Sequence, residues 1–388
     1  MRLNAAYRWF APVLFALAGI SACTKQETGE PGPIRFTCAP LVEVTTKADG
    51  SFISGSGPLN GGQHFGVYAW NTGVSCLTAN PGAPGFVSAA WDVTFANNND
   101  KGKNNTYDPG LGVDNFWPRT SGYDYSFAAY YPYGGDGITG PTWDSGTVGV
   151  YGFTAQNTAA SMVDFCVSDI ANDMTYATTN SGYDGTVQLT FHHTLCRVQF
   201  KFVKAQDMGD THHIKILDAK LKNVNTTGTL TVTYEPPQPP LTPAPGVAGT
   251  TTFAWSDVGT LRDYEITING VDPVPTATEV EIGHSPTVAT SDVFLMVPDA
   301  VRPGNGTDPQ QLVLKWNLDG GEATTTALWL SDCIQAIGNP AHADIHWDAN
   351  SFVTYTIVLG ASPIVFGNVT ITSWDAEPEV NGYYPIIL

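Results

Sequence analysis

The chain has 388 residues and carries 36 acidic against 17 basic side chains, a formal charge of −19 that repels nucleic acid and anionic lipid. Charged residues make up only 14%, while 40 glycines, 27 prolines and many aromatic residues argue against a helical bundle and suit short strands joined by turns. About 365 residues follow the N-terminal leader, enough for two ordinary domains.

The leader comes first. Arg2 and Arg8 precede an apolar run from Trp9 to Ile20, too short to span a bilayer as a helix and suited to the core of a signal peptide. Gly19-Ile20-Ser21-Ala22-Cys23 reads as a lipobox, in which the small Ser21 and Ala22 let a peptidase reach the bond before an acylated Cys23. Residues 1–22 are therefore expected to leave as a lipoprotein signal peptide, and Cys23 to be the lipidation site that holds the chain in the outer membrane. Several acyl chains at one residue anchor firmly where a single one binds only marginally. An ordinary secretory signal cut after Ala22 is the alternative. Without Arg2 and Arg8 the mature chain has 15 basic and 36 acidic residues, a net of −21. Residues 23–33 show no apolar period and are expected to form a flexible tether.

Strand patterns follow in order. Ile34-Arg35-Phe36-Thr37-Cys38 alternates as a strand with one buried face, ended by Pro40. The polar run Thr45-Thr46-Lys47-Ala48-Asp49-Gly50 is an exposed loop. Phe65 to Trp70 and Trp91 to Phe95 are strands, and the Asn-rich stretch from Asn97 to Asn115 a solvated loop whose acids do not fit an EF-hand. Tyr123 to Pro132 is an aromatic strand, read as core packing more than as a sugar platform. The strongest strand pattern runs from Val187 to Phe202, but its parity flips near His192-His193, where a bulge or break belongs. A polar segment, Gln206 to His213, marks the expected domain boundary, giving an N-terminal sandwich over 34–208 and a C-terminal one over 209–388. Further strands are expected at Ile214 to Val224, Gly228 to Tyr234, Tyr264 to Ile268, Val293 to Val297, Gln311 to Trp316, Thr325 to Leu330, Phe352 to Leu359 and Val369 to Trp374. The proline-rich stretch from Pro236 to Pro245 is a stiff loop. This pattern is all-β, antiparallel and sandwich-like.

Chemistry-bearing constellations are sparse. Asp144-Ser145-Gly146-Thr147 has the look of an aspartic-protease loop but no second copy, so a turn is the better reading. His342, Asp344 and His346 share one strand face without the glutamate of H-E-x-x-H. His192-His193 and His212-His213 are adjacent pairs, which on a strand point to opposite faces. Apart from Cys23 the cysteines are Cys38, Cys76, Cys166, Cys196 and Cys333; none forms C-x-x-C, and most read as small buried apolar residues. No enzyme activity, metal or cofactor is expected.

The lipobox, IRFTC followed by TTKADG, FGVYAW, the WP and YDYSFAAYYP segment, VDFCVSDI and LTFHHTLCRVQFKF together resemble the fimbrillin family of lipoprotein pilins of Bacteroides-type bacteria. The likeness covers most of the mature chain. Two departures are Lys47, where the family usually has Arg, and His192-His193, where it has one His. The resemblance implies two tandem transthyretin-like β-sandwich domains, and an outer-membrane lipoprotein that is cut by a trypsin-like protease and moves into a cell-surface fimbrium. Lys47 is the expected cut site and Arg35 the alternative. Loss of the first strand would open a groove for a strand of another pilin subunit. At the C-terminal end Val380, Tyr384, Ile386 and Leu388 alternate onto one face and form the candidate donor strand, with self-insertion into the second domain nearly as good a reading. The rival class is a surface glycan-binding lipoprotein that stays lipidated and monomeric, using exposed aromatics such as Trp70, Trp91, Trp117 and Trp143.

Overall fold

Alternation of large apolar and small or polar residues dictates the strands, and the length over which it holds dictates how many cores they line. The computed structural model describes residues 34–38, 64–71, 91–94, 106–108, 125–144, 148–174, 186–235, 250–270, 279–284, 289–302, 304, 306–332, 346–360 and 365–373. Its named elements are strands and single turns of 3-10 helix, so the chain is all-β, and most strand pairs are antiparallel.

Three larger sheets carry the fold. One runs through Phe191–His193, Cys166–Ser168, Tyr125–Tyr131, His64–Asn71, Trp91–Thr94 and Thr106–Asp108. The second runs through Thr324–Trp329, Gln311–Leu318, Ile214–Glu235, Val148–Thr154 and Ile138–Asp144, and Thr250–Glu265 also pairs with Ile214–Glu235. The third runs through Ala289–Thr290, Cys196–Lys204, Ser351–Leu359 and Val365–Ser373.

The first of these sheets separates two hydrophobic cores. In its strand Tyr125–Tyr131, Phe127, Ala129 and Tyr131 enter a smaller core with Phe36, Phe65, Val187 and Phe191, while Ala128 and Tyr130 enter a larger one with Tyr151, Phe165, Phe200 and Tyr355. Burial on both faces explains why YSFAAYY has no polar alternation. The aromatic stripe is core, as its composition implies.

Between Val187 and Phe202 the chain crosses from one core to the other. The strand expected here, with a bulge or break near His192-His193, is three strands in three sheets: Thr186–Leu189, Phe191–His193 and Cys196–Lys204. Val187, Leu189 and Phe191 line the smaller core, and Val198, Phe200 and Phe202 the larger. The parity flip is this change of core. It is completed at Thr194-Leu195, where the Thr194 backbone N–H and hydroxyl both donate to the Phe165 carbonyl, at 3.1 and 2.6 Å.

Strands on either side of residues 208/209 share sheets. Cys196–Lys204 pairs in parallel with Ser351–Leu359, from Arg197 opposite Phe352 to Lys204 opposite Leu359, and Val148–Thr154 pairs with Ile214–Glu235. The buried Lys204 donates from Nζ to the carbonyls of Gly209 and His212, at 3.0 and 2.9 Å, which fixes the polar turn that follows. Ile214–Glu235 is one strand, where two were expected with a break at Asn225-Thr226-Thr227. Register shifts between Leu221 and Val224 and between Thr227 and Thr229 absorb the irregularity as bulges.

Candidate functional site: the first strand and its groove

The alternation in Ile34 to Cys38 sends Ile34 and Phe36 inward, and both are fully buried. The strand Arg35–Cys38 pairs in parallel with Thr186–Leu189, Arg35 opposite Thr186 and Cys38 opposite Leu189. Among the described strands this is its one neighbour. Phe36 therefore acts as a plug held from below: its ring meets Phe127 edge-on at 5.2 Å and Phe65 at 6.3 Å, and Phe65 meets Phe191 at 5.7 Å. Two buried side chains of this size contribute about 3 to 6 kcal/mol together, and each edge-on aromatic pair about 0.5 to 1.5 kcal/mol more. These contacts are apolar and local. Phe65, Phe127, Val187 and Leu189 belong to the same small core as Ile34 and Phe36.

Of the residues singled out from the sequence, Arg35 lies within this paired strand. Cys23, Lys47, Val380, Tyr384, Ile386 and Leu388 lie outside the described residues, as do His342, Asp344 and Trp117. The last described strand, Val365–Ser373, runs antiparallel to Ser351–Leu359 at the rim of its sheet, with Ile371 52% exposed. Trp143, a candidate sugar platform, packs against Tyr68 at 5.3 Å and Tyr234 at 6.0 Å at the margin of the larger core. His346 is exposed on a short strand beside Ala300.

His192 and His193, within a strand, face apart as their spacing requires, while His212 and His213 precede the strand Ile214–Glu235 and are both exposed. His192 Nε2 lies 2.9 Å from Asp169, whereas His193 turns inward, its Nδ1 3.1 Å from Asp164 Oδ1 and 3.0 Å from Oδ2. His212 Nδ1 meets Asp319 at 2.8 Å and His213 Nδ1 meets Glu281 at 2.6 Å. These imidazoles hold both carboxyls below the usual carboxylate range. Sequence reasoning missed one cluster: Cys166 Sγ sits 3.4 Å from both Asp164 Oδ1 and His193 Nδ1, with all three residues buried. The signal available was the i, i+2 spacing of Asp164 and Cys166 within VDFC. The same imidazole nitrogen faces both partners, so the cluster is not a nucleophilic relay, in which base and orienter use different nitrogens.

A family model described as fimbrillin-like matches residues 46–374, and the chain belongs to that family. No curated protein matches the sequence. Among solved structures it is similar to a candidate cell adhesion protein of Bacteroides uniformis, at 15% identity and a TM-score of 0.47 over 88% of this chain and 98% of that one. A fimbrial protein of Bacteroides vulgatus matches at 14% identity and a TM-score of 0.46 over 88% of this chain and 99% of that one. Family membership rests on the sequence match. No described helix is long and apolar enough to cross a membrane.

Proposed function

We propose that the chain is a structural subunit of a surface fimbria, exported as a lipoprotein through Cys23, cut after Lys47, and polymerised when a neighbour's end segment fills the slot left by Ile34 to Cys38. The observation that carries this reading is the plug itself. A strand with one described partner and two fully buried side chains can leave with only the two-stranded pair Arg35–Cys38 and Thr186–Leu189 broken, the three larger sheets keeping their ladders. Arg35 is the poorer cut site, because its backbone is already paired with Thr186 and a protease binds an extended, unpaired segment. Val380, Tyr384, Ile386 and Leu388 have the alternation the slot accepts, and Pro385 between them must face away from the ladder because it has no N–H to donate.

The test is limited digestion of the purified precursor with a trypsin-like protease, followed by mass spectrometry and electron microscopy. One cut after Lys47, release of the peptide containing Ile34 to Cys38, and fibres only from the cut protein are expected. Fibres formed equally by uncut precursor would overturn the proposal.

A further inference from the structure

Behind the groove, three metal-ligating side chains meet in the protein interior. We propose that Asp164, Cys166 and His193 form a binding site for a divalent zinc-class cation. Cys166 and His193 are opposite one another in the antiparallel pair Cys166–Ser168 and Phe191–His193, and Asp164 enters two residues upstream of Cys166. Their donor atoms make a nearly equilateral triangle with sides of 3.1, 3.4 and 3.4 Å. Such a triangle is one face of a tetrahedron whose centre lies ~2 Å from each corner, close to Zn–N and Zn–O bond lengths and a little under Zn–S.

The chemistry of the donors agrees with the shape. Thiolate, imidazole and carboxylate are all zinc ligands, and two anionic donors around a dication give a site of zero net charge. Neutrality matters here because Asp164 and Cys166 are fully buried and His193 is 2% exposed, where an uncompensated charge is costly. Binding is an exchange of protons for metal without redox change. The thiol proton passes to solvent, the imidazole binds as the neutral ring with its proton on Nε2, and the carboxyl group binds as the anion, releasing any proton it holds to solvent. Tyr131, buried and paired in register with Cys166, neighbours the cluster on the adjoining strand. An ion there would pin Cys166–Ser168 to Phe191–His193, the two strands through which Cys166 and Phe191 reach the smaller core. This inference does not depend on proteolytic processing or strand exchange.

The competing arrangement is a hydrogen-bonded cluster in which Cys166 and His193 donate to Asp164, and cobalt separates the two. Purified full-length protein, stripped with a chelator and titrated with Co²⁺, is expected to develop a thiolate-to-cobalt charge-transfer band with tetrahedral d–d absorption, saturating at one equivalent per chain. Zn²⁺ should erase the band and raise Tm, and C166S should lose it. X-ray absorption of the wild-type zinc form should show one sulfur among nitrogen and oxygen ligands, a readout that holds even if the variant fails to fold. Absence of the band in wild-type protein whose thiols are all reduced would overturn the site, and so would a band that survives C166S.

Discussion

Cys196 shows how far residue type alone predicts behaviour. Burial pushes its thiol up to about 12, the nearby Asp348 charge adds to this, and the hydrogen bond with Ser351 Oγ at 3.2 Å only partly offsets it. At pH 8 it is a protonated thiol in an apolar wall. Iodoacetamide should therefore leave Cys196 unmodified in the native protein and alkylate it fully in denaturant, as peptide mass mapping would show. Native-state modification would mean that the Cys196–Lys204 strand opens readily. Asp319 supplies a pH dependence of known sign. Its hydrogen bond to His212 lowers the folded-state value, so its stabilisation is present above the unfolded pKa and is lost as pH falls through the folded one. Because it is exposed, N-for-D substitution (D319N) should move the acid-unfolding midpoint only slightly in circular dichroism, and a large shift would contradict the assignment. The sequence read most of the cysteines as small buried apolar residues; Cys166 and Cys196 are both buried, but Cys166 meets the polar Asp164 and His193. The sequence could not show that Cys166 meets His193, because that depends on a register set by segments far from either residue.

At the scale of elements, strands with dense or alternating large apolar residues were legible and strands lacking them were not. Gln311–Leu318 alternates as expected, whereas His64–Asn71 and Ser351–Leu359 were legible from their dense apolar content and are buried on both faces over Phe65 to Ala69 and Ser351 to Tyr355. Thr250–Glu265 was expected only at its last residues, since most of its side chains are exposed or half-buried and its apolar alternation is weak. The hairpin of Ile138–Asp144 and Val148–Thr154 was hidden by glycines at Gly140, Gly149 and Gly152. Gly140 has φ +98° and a Cβ there would lie 2.8 Å from the Val150 carbonyl oxygen, so glycine is required. The first strand was legible, its partner not: Arg35–Cys38 and Thr186–Leu189 are far apart in sequence, and parallel pairing leaves no hairpin signal. F36A should cost about 3 to 5 kcal/mol in precursor stability measured by urea unfolding. If the plug shields the backbone at Arg35, the same substitution should speed tryptic cleavage there by about a hundredfold or more through local opening. Unchanged cleavage would show that something else protects that bond.

For the molecule as a whole, composition and alternation point to an all-β sandwich protein, and the sheets are consistent with it. What local pattern could not convey is that one sheet, buried on both faces, separates two cores, or that Cys196–Lys204 joins Ser351–Leu359 across the chain. Assembly is the property that belongs to this scale. Deleting residues 380–388 should leave a folded, soluble monomer that adds to no fibre, seen by analytical ultracentrifugation and electron microscopy, whereas a self-inserted end would make the truncated chain less stable. The most direct measurement is the N-terminal residue and lipid content of the subunit taken from fibres at the cell surface. A chain beginning at Ala48 and free of acyl groups is predicted; one beginning at Cys23 with its lipid, or anywhere upstream of Phe36, would contradict the exchange of the first strand.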